Sequence, residues 1–157
     1  MKDLFANAFE GQTVLVTGHT GFKGSWLTSW LLELGANVVG FSLDEPPTDP
    51  SNYLVSCLSE HVTDIRGDVR DAEALQDTIA EHRPTIVFHL AAQPIVFRSL
   101  AEPTLTFDTN AMGTINLLEA VRHTSSVKSI VCVTTDKVYA NQEWVWGYRE
   151  SDPLGDY

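Results

Sequence analysis

Three glycines, Gly18, Gly21 and Gly24, lie at intervals of three residues between an apolar segment and an amphipathic one. The preceding segment, 13–17, is short and rich in β-branched residues, which predicts a buried strand. The following segment, 25–34, predicts a helix because it has apolar side chains at helical spacing: Leu27, Trp30, Leu31 and Leu34. A glycine-rich loop that joins a strand to a helix so tightly indicates a parallel α/β fold.

Short apolar segments continue to alternate with longer amphipathic ones along the chain. The pattern predicts further strands and helices, with strands over 37–43, 62–67, 85–90 and 129–134 and helices over 72–82 and 103–123. The regions 44–61 and 140–157 read as irregular, apart from a short helix near Tyr53. Alternating strands and helices require parallel strands with right-handed crossovers. The predicted fold class is an α/β, Rossmann-type doubly wound parallel sheet.

Several residues within these elements have predicted structural roles. Gly35 is expected to end the first helix and Asp71 to cap the helix over 72–82. In the helix over 72–82, Ala74, Leu75 and Ile79 are expected to face inward. The helix over 103–123 is indicated by apolar residues at positions that fit a helix, which are Leu105, Ala111, Met112, Ile115, Leu118 and Val121. Cys132 lies in an apolar run and is expected to be buried and reduced.

Composition limits the classes of function. The 157 residues suit one domain over 1–157, and a hydrophobic share of 43% is enough for a core. A net charge of −11 argues against nucleic acid or an anionic membrane as a main partner. The two cysteines show no metal-ligand spacing, so no metal is expected. Without a signal peptide or an apolar run of membrane-spanning length, we expect a cytoplasmic protein.

The glycine loop is suited to bind a diphosphate. Glycine permits the tight turn, lets the backbone approach the phosphates without a Cβ atom, and lets the helix pack close to the strand. The start of the helix then offers free N–H groups and the positive end of its dipole. We therefore expect a dinucleotide to bind at this loop.

Four segments in order resemble the extended short-chain dehydrogenase/reductase superfamily. They are the glycine loop, the turn Gly67–Asp71, the segment His89–Gln93, and the helix that carries Asn110, Gly113, Thr114 and Leu117–Ala120. The resemblance implies that Asp68 accepts from the adenine amine. It implies a larger set of cofactor-binding residues, which are Gly18, Thr20, Gly21, Phe22, Lys23, Gly24, Asp44, Asp68, Val69, Leu90, Ala91, Ala92, Gln93, Asn110 and Thr134.

The expected cofactor is NAD, but the sequence does not exclude NADP. An acidic residue that binds the adenine ribose usually ends the second strand, and this chain has Ser42 at that position. An acid there would repel the 2′-phosphate of NADP. Asp44 lies two residues later. The sequence leaves two alternatives for this residue: it binds the ribose, or it lies in a solvated loop.

Finer detail resembles the CDP-glucose 4,6-dehydratase family. The segments that carry this resemblance are Thr17–Leu27, Val87–Pro94, Thr134–Tyr139 and Glu143–Glu150. The family oxidises C4 of the sugar through a hydride transfer to NAD, eliminates water across C5 and C6, and returns the hydride to C6. The implied substrate is a CDP-sugar, the implied activity is that of an NAD-dependent lyase, and the implied process is deoxysugar synthesis for lipopolysaccharide O-antigen.

The resemblance also implies roles for individual residues. Thr135 would bond the C4 hydroxyl, Asp136 would act as general acid toward the C6 hydroxyl, and Lys137, which must then be neutral, would stand where related dehydratases have a Glu base. Gln93, Arg98 and Trp146 are the implied substrate-binding residues. Phe97 and Leu100 depart from the family, where Arg and Tyr usually stand, and Trp146 could equally be an interface aromatic.

In the family, the Tyr-x-x-x-Lys pair and the substrate domain follow the region that this sequence covers. We therefore expect an incomplete Rossmann domain that is inactive alone, and a homodimer, formed partly by the helix of Asn110, when full length. We also expect the predicted strand over 129–134 and one sheet face to be poorly covered. The alternatives are a fragment of a sugar-nucleotide epimerase or reductase, and a non-catalytic remnant that binds a dinucleotide.

Overall fold

A computed structural model describes residues 4–44, 46–135 and 137–155. Its sheet has five strands: β1 (Thr13–Thr17), β2 (Asn37–Ser42), β3 (Thr63–Arg66), β4 (Ile86–His89) and β5 (Ser129–Cys132). Their order is β3-β2-β1-β4-β5, and every neighbouring pair is parallel. The predicted doubly wound class is confirmed, and each strand lies within its predicted segment.

The helices follow the strands along the chain. They are α1 (Phe22–Glu33), α2 (Asn52–Val55), α3 (Ala72–His82), α4 (Val96–Ala101), α5 (Pro103–Phe107) and α6 (Gly113–Arg122), with 3₁₀ turns over Leu4–Asn7 and Leu58–Glu60 and a π turn over Asp108–Met112. None of the helices in the described ranges is long and apolar enough to cross a membrane.

The central strand β1 contributes to a hydrophobic cluster on each face of the sheet. Leu15 packs in a cluster with residues of α3 and α6, whereas Val14 and Val16 belong to the cluster that contains Leu31 of α1. All of these strand side chains are fully buried. Because helices cover both faces, β1 is apolar on both faces, as the sequence pattern indicated.

Helix α3 forms as the sequence predicts. The Asp71 side chain accepts a hydrogen bond from the backbone N–H of Ala74 at 3.1 Å, and Leu75 and Ile79 are buried. The helix ends where Arg83 adopts a left-handed conformation with φ of 46°. The cap satisfies one of the N–H groups that a helix start leaves without a partner in the helix.

The predicted helix over 103–123 is confirmed as a continuous helical segment over 103–122, in which a π turn lies between α5 and α6. Three of its apolar side chains, Met112, Ile115 and Leu118, are 47%, 53% and 44% exposed. The buried residues of α6 are instead Gly113, Leu117 and Ala120. A Cβ atom on Gly113 would lie 2.6 Å from Cγ2 of Val69, so this glycine must face Val69 and thereby sets the rotation of the helix.

Helix α1 buries small residues as well as apolar ones. Of the four apolar side chains that indicated the helix, Leu31 and Leu34 are buried, Leu27 is half-buried and Trp30 is exposed. Three small residues of the first turns, Gly24, Ser25 and Thr28, are also buried. A close approach of the start of α1 to the sheet requires small side chains, and apolar periodicity does not detect them.

The C-terminal side of the sheet is more exposed. Strand β5 alternates between exposed and half-buried residues, and Cys132 is a free, half-buried cysteine instead of a fully buried one. After it, Tyr139 and Leu154 form an antiparallel bridge, and the rings of Tyr139 and Tyr148 stack with centroids 5.3 Å apart. The region from 138 to 155 is therefore a loop closed on itself.

Candidate functional site

The candidate site lies at the carboxyl ends of β1 and β4, the two central strands of the sheet. The chain leaves β1 toward α1 and β2 on one side, and β4 connects onward to β5 on the other. A parallel sheet whose strand order reverses at such a point forms a crevice that binds ligands. The glycine loop and the segment 90–93 form the two sides of this crevice.

Two of the three glycines are required by close contacts of the backbone. Gly18 has φ of +73°, and a Cβ atom there would lie 2.8 Å from the backbone nitrogen of Ala91. A Cβ atom on Gly24 would overlap the carbonyl group of Gly18. Gly21 is the N-cap of α1 and donates to the Gly18 carbonyl at 3.1 Å. The loop is therefore a tight cradle at the positive end of a helix dipole.

The region where the adenine ribose is expected contains hydroxyl groups and an arginine. The Thr20 hydroxyl lies 2.8 Å from the hydroxyl of Ser42, and both residues are buried. Arg66 donates to the carbonyl oxygens of Leu43 at 3.0 Å and Asp44 at 3.3 Å. Arg66 thus holds the end of β2 in place, while Asp44 is exposed. Phe22 and Lys23, at the start of α1, are also exposed.

Beneath the loop, His19 belongs to a polar network that includes the Asp64 carboxylate. Nε2 of His19 lies 2.9 Å from one Asp64 oxygen, and the other oxygen accepts from Tyr53 and from Arg66. The His19 ring is fully buried, and a Cβ atom on Gly40 would overlap it. The network ties the glycine loop to β3 and α2.

The network changes the acidity of its members. Burial lowers the pKa of His19, because the charged imidazolium loses its water, although Asp64 opposes this effect. Burial and the bond to Asp64 raise the pKa of Tyr53 to about 12. Burial by itself raises the pKa of Asp64, but the bonds from Tyr53 and Arg66 outweigh it and the net pKa is lowered. His19 is therefore neutral near pH 7, and Asp64 is ionised.

The predicted adenine-binding turn is held in place by two side chains. Both carboxylate oxygens of Asp68 accept from Arg70, at distances from 2.5 to 3.0 Å, and these bonds lower the pKa of Asp68. Asn116 of α6 donates at 3.1 Å to the carbonyls of Val69 and Arg70. Val69 is buried. An adenine amine would have to share the Asp68 carboxylate with Arg70, which the sequence did not indicate.

The segment after β4 is anchored to the ends of both strands. The backbone N–H groups of Leu90 and Ala91 each donate to Oγ1 of Thr17 at 3.2 Å. The Asn110 side chain forms two bonds to the main chain of Gln93, accepting from its N–H at 2.7 Å and donating to its carbonyl at 3.0 Å. Asn110 therefore positions this segment with both the oxygen and the nitrogen of its side-chain amide. Ala92 is exposed beside it.

The predicted catalytic residues follow β5 at the same edge of the sheet. The N–H of Val133 donates to the carbonyl of His89 at 2.9 Å, so the chain passes the end of β4 before it reaches Thr134 and Thr135. Both threonines are exposed, and Oγ1 of Thr135 accepts from the N–H of Lys137 at 3.0 Å. The third residue of this predicted group, Asp136, lies outside the described residues.

The predicted substrate-binding residues are dispersed. The Gln93 side chain donates to Thr106 at 3.0 Å and accepts from the N–H of Ile95 at 2.7 Å, which holds the start of α4. Arg98 forms an exposed ion pair with Glu102 one helical turn away. Trp146 is exposed in the loop over 138–155. These contacts give Gln93 a local structural role, and the substrate roles of all three stay predictions.

Several polar residues of the site had no assigned role in the sequence. Thr17 and His89 lie at the ends of the two central strands and are buried, and Thr114 contacts His89 from α6. A polar residue at the end of an otherwise apolar strand was the available signal. For the ion pair of Arg70 with Asp68, the sequence offered one signal, which is that the two residues are two positions apart.

Comparison with known proteins agrees with this architecture. The chain is 52% identical over 96% of its length to the CDP-glucose 4,6-dehydratase of Salmonella typhimurium, and it spans 42% of that relative. The Thermus thermophilus UDP-glucose 4-epimerase in complex with NAD superposes with a TM-score of 0.76, at 34% identity, over 90% of this chain and 44% of the epimerase.

A second solved structure is the dTDP-glucose 4,6-dehydratase of Bacillus anthracis in complex with NAD. It superposes with a TM-score of 0.74 at 26% identity, and the match covers 94% of this chain and 45% of the dehydratase chain. The GDP-mannose 4,6 dehydratase family profile matches residues 15–155, from the interior of β1 to the end of the described residues. The chain therefore belongs to the GDP-mannose 4,6-dehydratase family.

Proposed function

We propose that this chain forms the cofactor-binding part of an NAD-dependent sugar-nucleotide 4,6-dehydratase that acts on CDP-glucose. The observation that carries the proposal is the glycine cradle at the switch point of the sheet, where a Cβ atom at Gly18 or Gly24 would overlap the backbone. The choice of a dehydratase over an epimerase is supported by 52% identity to a CDP-glucose 4,6-dehydratase, against 36% and 39% to two UDP-glucose 4-epimerases.

The residues present fit NAD. Gly21 is the N-cap of α1, so a diphosphate at the glycine loop would meet the free N–H groups and the positive end of the dipole of this helix. Asp44 is the first acidic side chain after β2. When bound, NAD supplies the hydride acceptor for C4 of the sugar and returns the hydride to C6. Thr20, Ser42 and Asp44 are the groups nearest to the expected ribose position, and Asp68 with Arg70 stands at the expected adenine position.

In this proposal the chain's own residues move the protons at C5 and C6, and the C4 hydroxyl gives its proton to the tyrosine of the Tyr-x-x-x-Lys pair, which in the family follows the region that this sequence covers. Lys137 takes the proton from C5, Asp136 gives a proton to the departing C6 hydroxyl so that water leaves, and Thr135 bonds the C4 hydroxyl. The support is positional, because Thr135 and Lys137 follow β5 at the carboxyl edge beside the end of β4. That edge is where ligands bind in open α/β sheets.

Cofactor binding is tested by calorimetry with NAD and NADP on the chain and on two alanine variants. Gly24→Ala places a methyl group against the Gly18 carbonyl and is expected to abolish binding. Gly147→Ala is the matched control, because a Cβ atom there meets nothing within 4 Å, and it should bind as the unchanged chain does. Absence of binding of either dinucleotide to the folded, unchanged chain would refute the proposal.

The chemistry is tested in a fusion of this chain to the remaining part of the Salmonella relative. Elimination from CDP-glucose gives a 4-keto-6-deoxy sugar, which absorbs in base, whereas epimerisation retains the 6-hydroxyl. Lys137→Met should reduce elimination by about a hundredfold or more. Lys128→Met, on the surface with its Nζ on the Ser125 carbonyl, should not. Full elimination by Lys137→Met would refute the role of Lys137 as the C5 base, whereas a product of the unchanged fusion that retains the 6-hydroxyl would favour an epimerase or reductase.

We also propose that the chain works in the reducing cytoplasm, because both cysteines are free.

We further propose that the chain pairs with a second copy through the exposed apolar face of α6, which Met112, Ile115 and Leu118 supply. Leu118→Glu should shift a dimer to a monomer in analytical ultracentrifugation. Unchanged association in this variant would exclude this face as the interface.

A further inference from the structure

The buried hydroxyl of Thr17 has three polar neighbours. It lies 3.2 Å from the N–H groups of Leu90 and Ala91, and 2.7 Å from Nδ1 of His89. A hydroxyl group has one hydrogen and two acceptor lone pairs. Both N–H groups can only donate, and the Leu90 N–H is shared with the Thr17 carbonyl, 3.1 Å away. Of the three polar neighbours, Nδ1 of His89 is the one that can accept the Thr17 hydrogen.

This arrangement sets the tautomer of His89. Nδ1 accepts from Thr17 and so carries no proton. A neutral imidazole then has its proton on Nε2, which lies 3.0 Å from Oγ1 of Thr114. Thr114 in turn donates to the carbonyl of Asn110 at 2.8 Å. Every polar group along this chain of bonds has a partner of the correct kind.

The two ends of the chain of bonds lie in separate parts of the site. Thr17 immediately precedes Gly18, whose Cα position is limited by contact with Ala91. Asn110 lies in the π turn, and its side chain holds the main chain of Gln93. π turns are frequent at functional sites. His89 is thus the only link in this chain of bonds between the strand ends and α6.

We propose that His89, as a neutral imidazole protonated on Nε2, is a positioning residue that couples the glycine loop to the segment 90–93 and to the π turn, so that affinity for NAD depends on its bond to Thr114. The inference rests on the proposed function in one respect, since it takes NAD as the ligand of the glycine loop. The tautomer itself follows from the hydrogen bonds alone.

Burial supports the neutral form. It lowers the pKa of His89, and the ring is nearly inaccessible to solvent between β1, β4 and α6. Among the described residues, its side-chain partners are the hydroxyl groups of Thr17 and Thr114. A protonated ring would aim an N–H at the Thr17 oxygen, which already faces the N–H groups of Leu90 and Ala91.

The tautomer is tested by a long-range ¹H–¹⁵N NMR spectrum of the chain near neutral pH, with His89 assigned by substitution. We expect a pyridine-like Nδ1 and a pyrrole-like Nε2. A protonated Nδ1 would overturn the proposal. This measurement needs neither NAD nor a perturbed fold, so its result is independent of the proposed function.

The coupling is tested by calorimetry with NAD on Thr114→Val and Thr114→Ser. Valine keeps the shape but removes the acceptor for Nε2–H, so NAD affinity should fall about tenfold. Serine keeps the hydroxyl and should bind within about twofold of the unchanged chain. Thr114→Ala replaces the valine variant if that one does not fold. Equal affinities of the folded valine or alanine variant and the serine variant would overturn the coupling.

If the unchanged chain itself binds no NAD, the proposed function fails and the coupling to NAD fails with it, while the NMR result still decides the tautomer. If the unchanged chain binds NAD and Thr114→Val binds equally well, only the coupling fails.

Discussion

Strands β1 and β5 have similar compositions but different surroundings. Both are short, β-branched and apolar, and both pair in parallel with β4. Val16 of β1 is 0% exposed, whereas Val131 of β5 is 44% exposed. The difference arises from position, because β1 lies at the centre of the sheet under two hydrophobic clusters and β5 lies at its edge. Composition therefore identifies a strand, and its neighbours decide how far it is buried.

The largest expected effect tests this comparison directly. Val16→Ala should destabilise the chain by about 2 kcal/mol, because it removes two buried methyl groups and leaves a cavity. Val131→Ala should cost less than about 0.5 kcal/mol in the isolated chain. Urea unfolding measures both variants. Equal losses would mean that β5 is as well packed in solution as β1.

The buried histidines at the ends of the central strands make stability depend on pH. Burial lowers the pKa of His19 and His89 below the ordinary value of 6.5. The unfolded chain then binds more protons than the folded one, so stability is fully present above about pH 6.5 and falls as the pH decreases below it.

Urea unfolding at about pH 7.5 and at about pH 5.5 measures this loss, in a window above the pH range where Asp64 and Asp68 titrate. Stability that rises toward lower pH in this window would contradict the burial of the two rings.

A smaller effect is expected at the start of α3. Asp71→Ala removes the acceptor for the Ala74 N–H and should cost about 1 kcal/mol. Asp77→Ala, on the exposed face of the same helix, should change stability by less than about 0.5 kcal/mol. The difference between the two variants in urea unfolding isolates the cap. No difference would mean that water replaces the cap without loss.

The smallest effect is expected on the exposed surface of α4. Arg98→Ala breaks an ion pair whose side chains are 52% and 50% exposed, and it should cost no more than about 0.5 kcal/mol. The effect should decrease further with added salt, because the pair is screened. A loss comparable to that of Val16→Ala would show that α4 is held by its ion pair.

The sequence predicted the features that depend on local rules. The strands, the glycine loop and the Asp71 cap each follow from a few adjacent residues, and Gly35 ends the first helix with φ of +85°. Position in the sheet is not local. For this reason the sequence indicated β5 as a strand but overestimated the burial of Cys132.

Features that depend on distant contacts were not predicted. The buried residues of α6 could not be derived from the sequence, because the contact of Gly113 with Val69 determines the rotation of the helix and apolar periodicity does not detect a buried glycine. The chain of bonds through His89 requires the ends of two strands and a helix to meet. The ion pair of Arg70 with Asp68 depends on a side-chain rotamer that no pattern of residue types records.

The contact between His19 and Gly40 has a consequence for how the family can vary. The imidazole occupies the space that a side chain on the neighbouring strand would need. Homologues with a larger residue at the position of Gly40 should therefore carry a smaller residue at the position of His19, so that the combined volume of the two side chains stays similar. Aligned relatives can reveal this as covariation between a loop and a strand that are separate in the chain but contiguous in space.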